Sequence, residues 1–453
     1  MKPDFTQLID EANRHSGLAE IPQNQLQSEY LKGLIKPEIR PQASFGFMPT
    51  TPGTPEHFRQ VQHDLTQLQN MQVSSQYSSD LASESLGEFA DRALALFAVL
   101  DANRNGKISK RELGSAVSTF DLRGKDAQTL AALYTNIAEP GKINFKAWKL
   151  GEADGISRLD LLELQYKLLN DGVIHEDLKE GLSNAIQSVS QSQQVASRRL
   201  FSDAKNPVAS ITPLAIRQGT VKDCYFEASL SSLAAANPAA IKRMIQPMKN
   251  GDYKVTFPGD PSHPVFVSKP TEAEAGLYNR GTPFGTWAGV MEKAYGEYIR
   301  PRTRDGANAV TAQESLNDGS EKSAIKLLTG HDARTYPSQR NLHLLLSQRK
   351  VDSKTLANTI TDALSEGRLV AAATTSRDAT TFNGYSTDHA HAILAFDRTA
   401  GDGGTLLIYN PDGAPSTLSF NKFMQTFADV TTESRQSLIG PCNFDKVKVN
   451  CAG

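Results

Sequence analysis

The stretch Gln218–Pro238, QGTVKDCYFEASLSSLAAANP, decides how the rest of the chain is read. From Cys224 the residues CYFEASLSSLAAA read as a helix, with Asp223 at the capping position and Asn237-Pro238 ending it. A thiol on the first residue of a helix faces backbone N–H groups that have no partner inside the helix, and the dipole favours its thiolate. Pairing with an imidazolium lowers a thiol further, from ~8.5 to roughly 3–4. Six residues upstream, Gln218 can offer its side-chain amide as one donor of an oxyanion hole, with the Cys224 N–H as the other. A cysteine at a helix start near a glutamine is also an ordinary structural arrangement. Nucleophilic chemistry therefore requires a base and a group that orients it.

Candidates for both stand downstream. His389 and His391 introduce an apolar strand in TDHAHAILAFD (387–397), and NPDG, beginning at Asn410, follows the next strand, TLLIY (405–409). A histidine on one strand and an asparagine at the end of its neighbour can meet across a sheet, the asparagine then fixing the imidazole. Residues two apart share a strand face, so periodicity leaves the choice between His389 and His391 open. Asp388 points to the opposite face and is left out of the set.

These segments resemble the calpain-type cysteine proteases. QGTVKDCYF is similar to the family's Q-G-x-x-G-D-C-[WY]-F signature, with the Gln-to-Cys spacing retained. Further blocks follow in the family's order. TWAGVMEKAYGEY from Thr286 is similar to W-x-x-L-x-E-K-A-Y, and DGSEKSAIKLLTG from Asp318 to G-G-x-x-x-x-A-L-x-x-L-T-G. HAHAILAFD resembles H-A-Y-x-V-L-x-x-D, NPDG resembles N-P-W-G, and SFNKFMQTF from Ser419 resembles the closing element with its spaced phenylalanines.

The resemblance covers about residues 200–435 and implies an α+β fold with a papain-like, two-lobed protease core. It implies Cys224 as nucleophile, His389 as base, Asn410 as orienter and Gln218 in the oxyanion hole, hydrolysing internal peptide bonds through an acyl-enzyme. Lobe 1 is expected over 200–305 and lobe 2 over 306–440, with a tail at 441–453. Four positions depart from the family pattern: Lys222 for the glycine before Asp-Cys, Glu227 for an apolar residue, Asp412 for a tryptophan, and His391 for an aromatic residue. They motivate an alternative, a catalytically weak interaction protein on the same fold. Acyl transfer of the transglutaminase type on the same thiol is a further alternative.

Ahead of the core, DANRNGKISKRE (Asp101–Glu112) fits the twelve-residue EF-hand template. Asp101, Asn103 and Asn105 stand at positions 1, 3 and 5, and Gly106 permits the turn. Lys107 at position 7 offers a backbone carbonyl, Ser109 stands at position 9, and Glu112 at position 12 offers two carboxylate oxygens. Two acids against four bases give the loop a formal charge of +2, so a Ca2+ ion is expected at the weak end of the range, ~10⁻⁴ M or poorer. Loops of this kind pair through position 8. GKINF, with Ile143, is the expected partner of Ile108, and GEADGISRLDLLEL around Ile156 is a shortened echo. An all-α EF-hand-like domain is thus read over 84–199, with helices at Asp126–Ile137 and Leu159–Leu169.

Residues 1–83 carry eleven glutamines and seven prolines before position 80 and little apolar periodicity, and read as a disordered leader. Amphipathic pieces such as Phe58–Met71 become helical only against a partner. Such a leader suits a translocated bacterial effector or a segment trimmed by the protease itself. The net charge of −2 gives no basic footprint for nucleic acid, and no run approaches the ~20 apolar residues of a membrane helix. Three cysteines, at 224, 442 and 451, exclude a disulfide scaffold and fit a reducing, cytoplasmic compartment. Protein substrates are the expected partners.

Overall fold

The computed structural model describes residues 55–74, 86–137, 155–169, 199–279, 284–301, 316, 319–338, 351–374, 381–411 and 415–437. The first helix, α1 (Pro55–Ser74), opens on a proline, whose fixed φ and missing N–H suit the first turn. Phe58, Val61 and Leu65 recur along one stripe and are buried against the core. The disordered leader expected over 1–83 is therefore corrected at 55–74: the apolar stripe has found its partner within the chain.

Next come α2 (Leu86–Leu100), β1 (Lys107–Ile108), α3 (Lys110–Thr119), α4 (Gly124–Ile137), β2 (Ile156–Ser157) and α5 (Arg158–Leu169). Phe89, Ala93, Phe97 and Leu100 bury one face of α2. The expected partner of Ile108, Ile143, lies outside the described residues. Ile108 pairs with Ile156, and Lys107 with Ser157, in a two-stranded antiparallel ladder. Gly155 explains this: a Cβ there would stand 2.4 Å from the Ile108 carbonyl oxygen, and its φ is 94°. Only glycine lets the two strands come so close at this bend.

The larger part of the chain begins with α6 (Cys224–Ala236), α7 (Pro238–Met244), β3 (Ile245–Pro247), β4 (Tyr253–Val255), β5 (Val265–Val267), α8 (Glu272–Leu277) and α9 (Trp287–Ile299). It continues with α10 (Glu321–Thr329), β6 (His331–Pro337), α11 (Ser353–Ser365), β7 (Val370–Thr374), β8 (Thr381–Phe382) and β9 (Tyr385–Ser386). Last are β10 (Ala390–Asp397), β11 (Thr405–Tyr409), β12 (Pro415–Ser419), α12 (Phe420–Thr426) and β13 (Phe427–Ser437).

Six of these strands form an antiparallel sheet in the order β12-β11-β10-β7-β13-β6. One face carries α11 and α12 through Leu356, Ile360, Phe420 and Phe423. Against the other lies α6, which packs on β10 and β7. Residues 225–234 of α6 are all buried, Glu227 and three serines among them, so the helix is enclosed on every side. Around α6 gather α7, α9, α10 and the small β3-β4-β5 sheet. Ala324, Ile325 and Leu328 of α10 join this core, so the packing runs beyond the boundary expected at 305. The fold is α+β, with α6 packed across β10 and β7. No helix among the described residues is long and apolar enough to cross a membrane.

Candidate active site

Cys224 is the first residue of α6 and is partly exposed. Asp223 occupies the capping position, but its side chain makes no capping bond, which corrects the sequence expectation. Its backbone carbonyl instead accepts from the N–H groups of Phe226 at 2.8 Å and Glu227 at 3.1 Å. Its carboxyl is fully buried. One of its oxygens, one of Glu227 from the first turn of α6 and one of Glu292 from α9 lie within 4.8 Å of one another. Glu292 accepts the Asn279 N–H at 2.7 Å. Burial first, then the Asp223 and Glu227 charges, push the Glu292 carboxyl well above the ordinary carboxylate range. The neutral form of Glu292 is favoured accordingly, which eases the repulsion among the three buried carboxyls.

The residues before the thiol are held from two sides. Thr220 and Val221 donate their N–H groups to the Leu277 carbonyl at the end of α8, at 2.9 and 3.3 Å. A Cβ on Gly219 would stand 1.8 Å from the Tyr278 carbonyl oxygen, so the loop can approach α8 only through a glycine. The Gln218 N–H donates to Pro411 O at 3.0 Å, which ties this loop to the residue after Asn410. The Gln218 amide donates to Val221 O at 2.7 Å. A primary amide carries two hydrogens, so this bond leaves one for another acceptor.

On the sheet, the two histidines separate. His389, just ahead of β10, places Nε2 2.8 Å from Asn410 Oδ1, at the end of β11. Its backbone is pinned to Thr374 of β7: the N–H donates to Thr374 Oγ1 at 3.0 Å, and its carbonyl accepts the Thr374 N–H at 2.9 Å. Thr374 stands in no recognisable motif, and only the β7–β10 pairing reveals it. His391 is fully buried, with its ring edge-on to those of Tyr385, Phe427 and His389 at centroid separations of 5.7, 5.2 and 5.1 Å. Burial and the neighbouring His389 push it down to about 3, so it stays neutral at any working pH. Asp388 is exposed.

Bonds tie the segment before Cys224 to the end of β11 along one seam. Tyr409, the residue before Asn410, donates its hydroxyl to Ile216 O at 2.6 Å, two residues ahead of Gln218. From α9, Lys293 pairs with Glu274 at 2.6 Å, and Tyr295 stacks on Phe226 at 4.1 Å. Hence the E-K-A-Y segment supports the thiol's helix rather than reaching the thiol. Tyr225 donates its hydroxyl to Leu316 O at 3.1 Å. Its ring lies where a Cβ on Gly319 would fall, at 2.0 Å. Of the four departures, Lys222 is exposed, Glu227 is in the carboxyl group described, His391 fills an aromatic box, and Asp412 lies outside the described residues.

The Asp101–Glu112 loop turns its oxygens inward. Asp101 accepts the N–H groups of Asn105 at 3.1 Å and Gly106 at 2.9 Å, and Asn105 accepts that of Lys107 at 2.9 Å. Asn103 accepts the Asn105 N–H at 2.9 Å, and Glu112 accepts from Asn103 N–H at 3.1 Å and Ser109 N–H at 2.8 Å. The donor set is oxygen throughout and suits a hard cation. Each Asp101 oxygen accepts one N–H and keeps a lone pair, whereas Glu112 Oε2 accepts both the N–H and the hydroxyl of Ser109.

A family model for the calpain family cysteine proteases matches residues 183–438, a span that contains Gln218, Cys224, His389 and Asn410. No curated protein matches the chain.

Proposed function

The chain belongs to the calpain family of cysteine proteases, and we propose that it is an endopeptidase working through Cys224, His389 and Asn410. The observation that carries the assignment of the base is the 2.8 Å bond from His389 Nε2 to Asn410 Oδ1. With Nε2–H donated to the amide oxygen, Nδ1 is the nitrogen that exchanges a proton with the thiol. Cys224 Sγ then attacks the scissile carbonyl carbon, and the His389 imidazolium protonates the leaving amine as the C–N bond breaks. Water, deprotonated by His389, attacks the thioester and releases the acid and the thiol. The Cys224 N–H and the Gln218 amide supply hydrogen bonds to the oxyanion.

His391 has no place in the proton traffic, because its neutral ring is enclosed by aromatic side chains. In the loop, Asp101, Asn103, Asn105, the Lys107 carbonyl, Ser109 and Glu112 would hold a Ca2+ ion, which when bound supplies positive charge joining the loop's two ends. The loop's net charge of +2 sets its affinity low, at ~10⁻⁴ M or poorer.

A fluorogenic peptide assay with and without Ca2+ tests the reading. Cys224→Ala should abolish turnover, and His389→Ala should cost on the order of 10³-fold or more. His391→Ala should keep measurable activity. Equal rates for wild type and Cys224→Ala would overturn the assignment and favour the interaction-protein alternative.

A further inference from the structure

The helix α1 precedes everything the protease reading uses, yet it is built into the seam that the reading depends on. Phe58, Val61 and Leu65, one turn apart, share an apolar cluster with Leu214 on one side and Ala392, Leu394, Leu407 and Tyr409 on the other. Leu214 lies four residues before Gln218, in a short helical turn (Pro213–Ala215) that leads to the oxyanion loop. Ala392 lies three residues after His389, and Tyr409 is bonded in sequence to Asn410. The same seam is crossed by the bonds from Tyr409 to Ile216 and from Gln218 to Pro411. One apolar stripe therefore touches both halves of the site within a few residues of each candidate group.

The polar side of the helix pairs within itself and also reaches the sheet: beyond the Thr399 hydrogen bonds, the Arg59 charge is one of the influences lowering Asp397 at the end of β10. Arg59 pairs with Glu56 and Gln60 with Asp64, both inside α1. The apolar stripe makes the larger part of the docking surface.

We propose that α1 is a clamp across the lobe seam, positioning Gln218 and Cys224 against His389 and Asn410. The site works only while the leader helix is docked. The proposal rests on the Cys-His-Asn reading and adds to it a positioning role for Phe58, Val61 and Leu65. Release of the helix, and not a cut between Ser74 and Leu86 by itself, would then switch the site off.

The test uses the full chain with a site-specific protease sequence inserted between Ser74 and Leu86. After cutting, the N-terminal fragment should co-elute with the remainder on gel filtration, and activity should persist. Val61→Asp and Leu65→Asp should release the fragment and lower kcat at least tenfold with KM within threefold. Iodoacetamide labelling of Cys224 should slow in parallel. Gln62→Ala, on the exposed side of α1, should match wild type. Because the cut chain carries no core substitution, its behaviour stands even if an aspartate variant misfolds. Loss of the fragment with kcat unchanged would overturn the clamp, as would a rise in activity on release, which marks an inhibitory segment. An uncut wild type that neither hydrolyses peptide nor labels at Cys224 overturns the protease reading, and the clamp with it.

Discussion

Two loops in this molecule deliver a chemistry-bearing residue to the start of a helix, and they are built by opposite means. Asp101–Glu112 closes on itself: its side-chain oxygens accept its own backbone N–H groups, and Ser109 and Glu112 form a capping box at the start of α3. Gln218–Cys224 is held by strangers, the Leu277 carbonyl from α8 and the Pro411 carbonyl beyond β11. Their carboxyls differ accordingly. Near the surface, hydrogen bonds from Ser109 and Asn103 outweigh a desolvation penalty and hold Glu112 below its ordinary value. In the interior, burial pushes Glu292 up. Similar residue types are thus pushed toward charge in one loop and toward the neutral form in the interior, the environment deciding which.

The glycines break this comparison most sharply. Gly219 is required for space: a Cβ would fall 1.8 Å from one carbonyl oxygen and 2.2 Å from another, and both belong to backbone that cannot swing aside. Gly219→Ala should destabilise by about 3 kcal/mol or more and lower kcat/KM by at least about 100-fold, since the oxyanion loop must leave α8. Thermal unfolding and peptide hydrolysis read both. A variant with wild-type kcat/KM would mean the loop is not held as described.

The buried carboxyls come next. Glu292 has its folded-state value raised above its unfolded one, so its contribution is fully present below about pH 4.5 and is lost as pH rises. Asp429, pushed up to about 7 by burial and by Glu321, acts in the same direction between about pH 4 and 7. Each of these two carboxyls should therefore lower wild-type stability as pH rises from 5 to 8, by about 1.4 kcal/mol per pH unit for each proton held. His391, whose value is depressed, works the other way up to about pH 6.5. Glu292→Gln keeps the acceptor for Asn279 and cannot ionise. Its urea-unfolding free energy should decline less steeply over that range and exceed that of wild type at pH 8. Parallel slopes would show that Glu292 is ionised in the fold.

What the sequence disclosed follows the same division. The self-closing loop was legible residue by residue, because twelve consecutive positions contain its whole network. In the core, Cys224, His389 and Asn410 stood out through local motifs, and the strands 392–396 and 405–409 through their apolar runs. What stayed hidden was contributed by distant segments. Asp223 looked like a cap, but Glu292, 69 residues on, draws its carboxyl inward. Thr374 fixes the His389 backbone and belongs to no motif. Ile108 pairs with Ile156 because Gly155 lets β2 come close, and that glycine's need for space is set by a strand 47 residues away. The stripe on α1 was visible in the sequence, but the seam it fills exists only once β10, β11 and the 213–215 turn assemble.

Gly106 supplies the milder counterpart of Gly219. Its φ is 85° and nothing lies within 4 Å of where a Cβ would stand, so Gly106→Ala meets strain and no clash. About 1–2 kcal/mol of destabilisation is expected from the left-handed backbone alone, with kcat/KM near wild type well below the unfolding midpoint. A loss as large as that of Gly219→Ala would show that the loop is packed against something more than itself.

The smallest change asks whether the two loops communicate. Ser109→Ala removes one half of the capping box and should cost about 1 kcal/mol in urea unfolding. A physical route does join the loops. Val117 O, near the end of α3, accepts the Thr271 hydroxyl at 2.7 Å; Thr271 caps α8; and Leu277 at the other end of α8 holds Thr220 and Val221. Contiguity alone does not make a coupling, which needs an element with two arrangements that both ends bias. Both ends of α8 are fixed here, by a capping box and by buried backbone bonds, so the route should be stiff. Iodoacetamide labelling of Cys224 in Ser109→Ala is therefore expected within twofold of wild type. A larger shift would mean that α8 moves, and the loop near the surface would then govern the one beneath it.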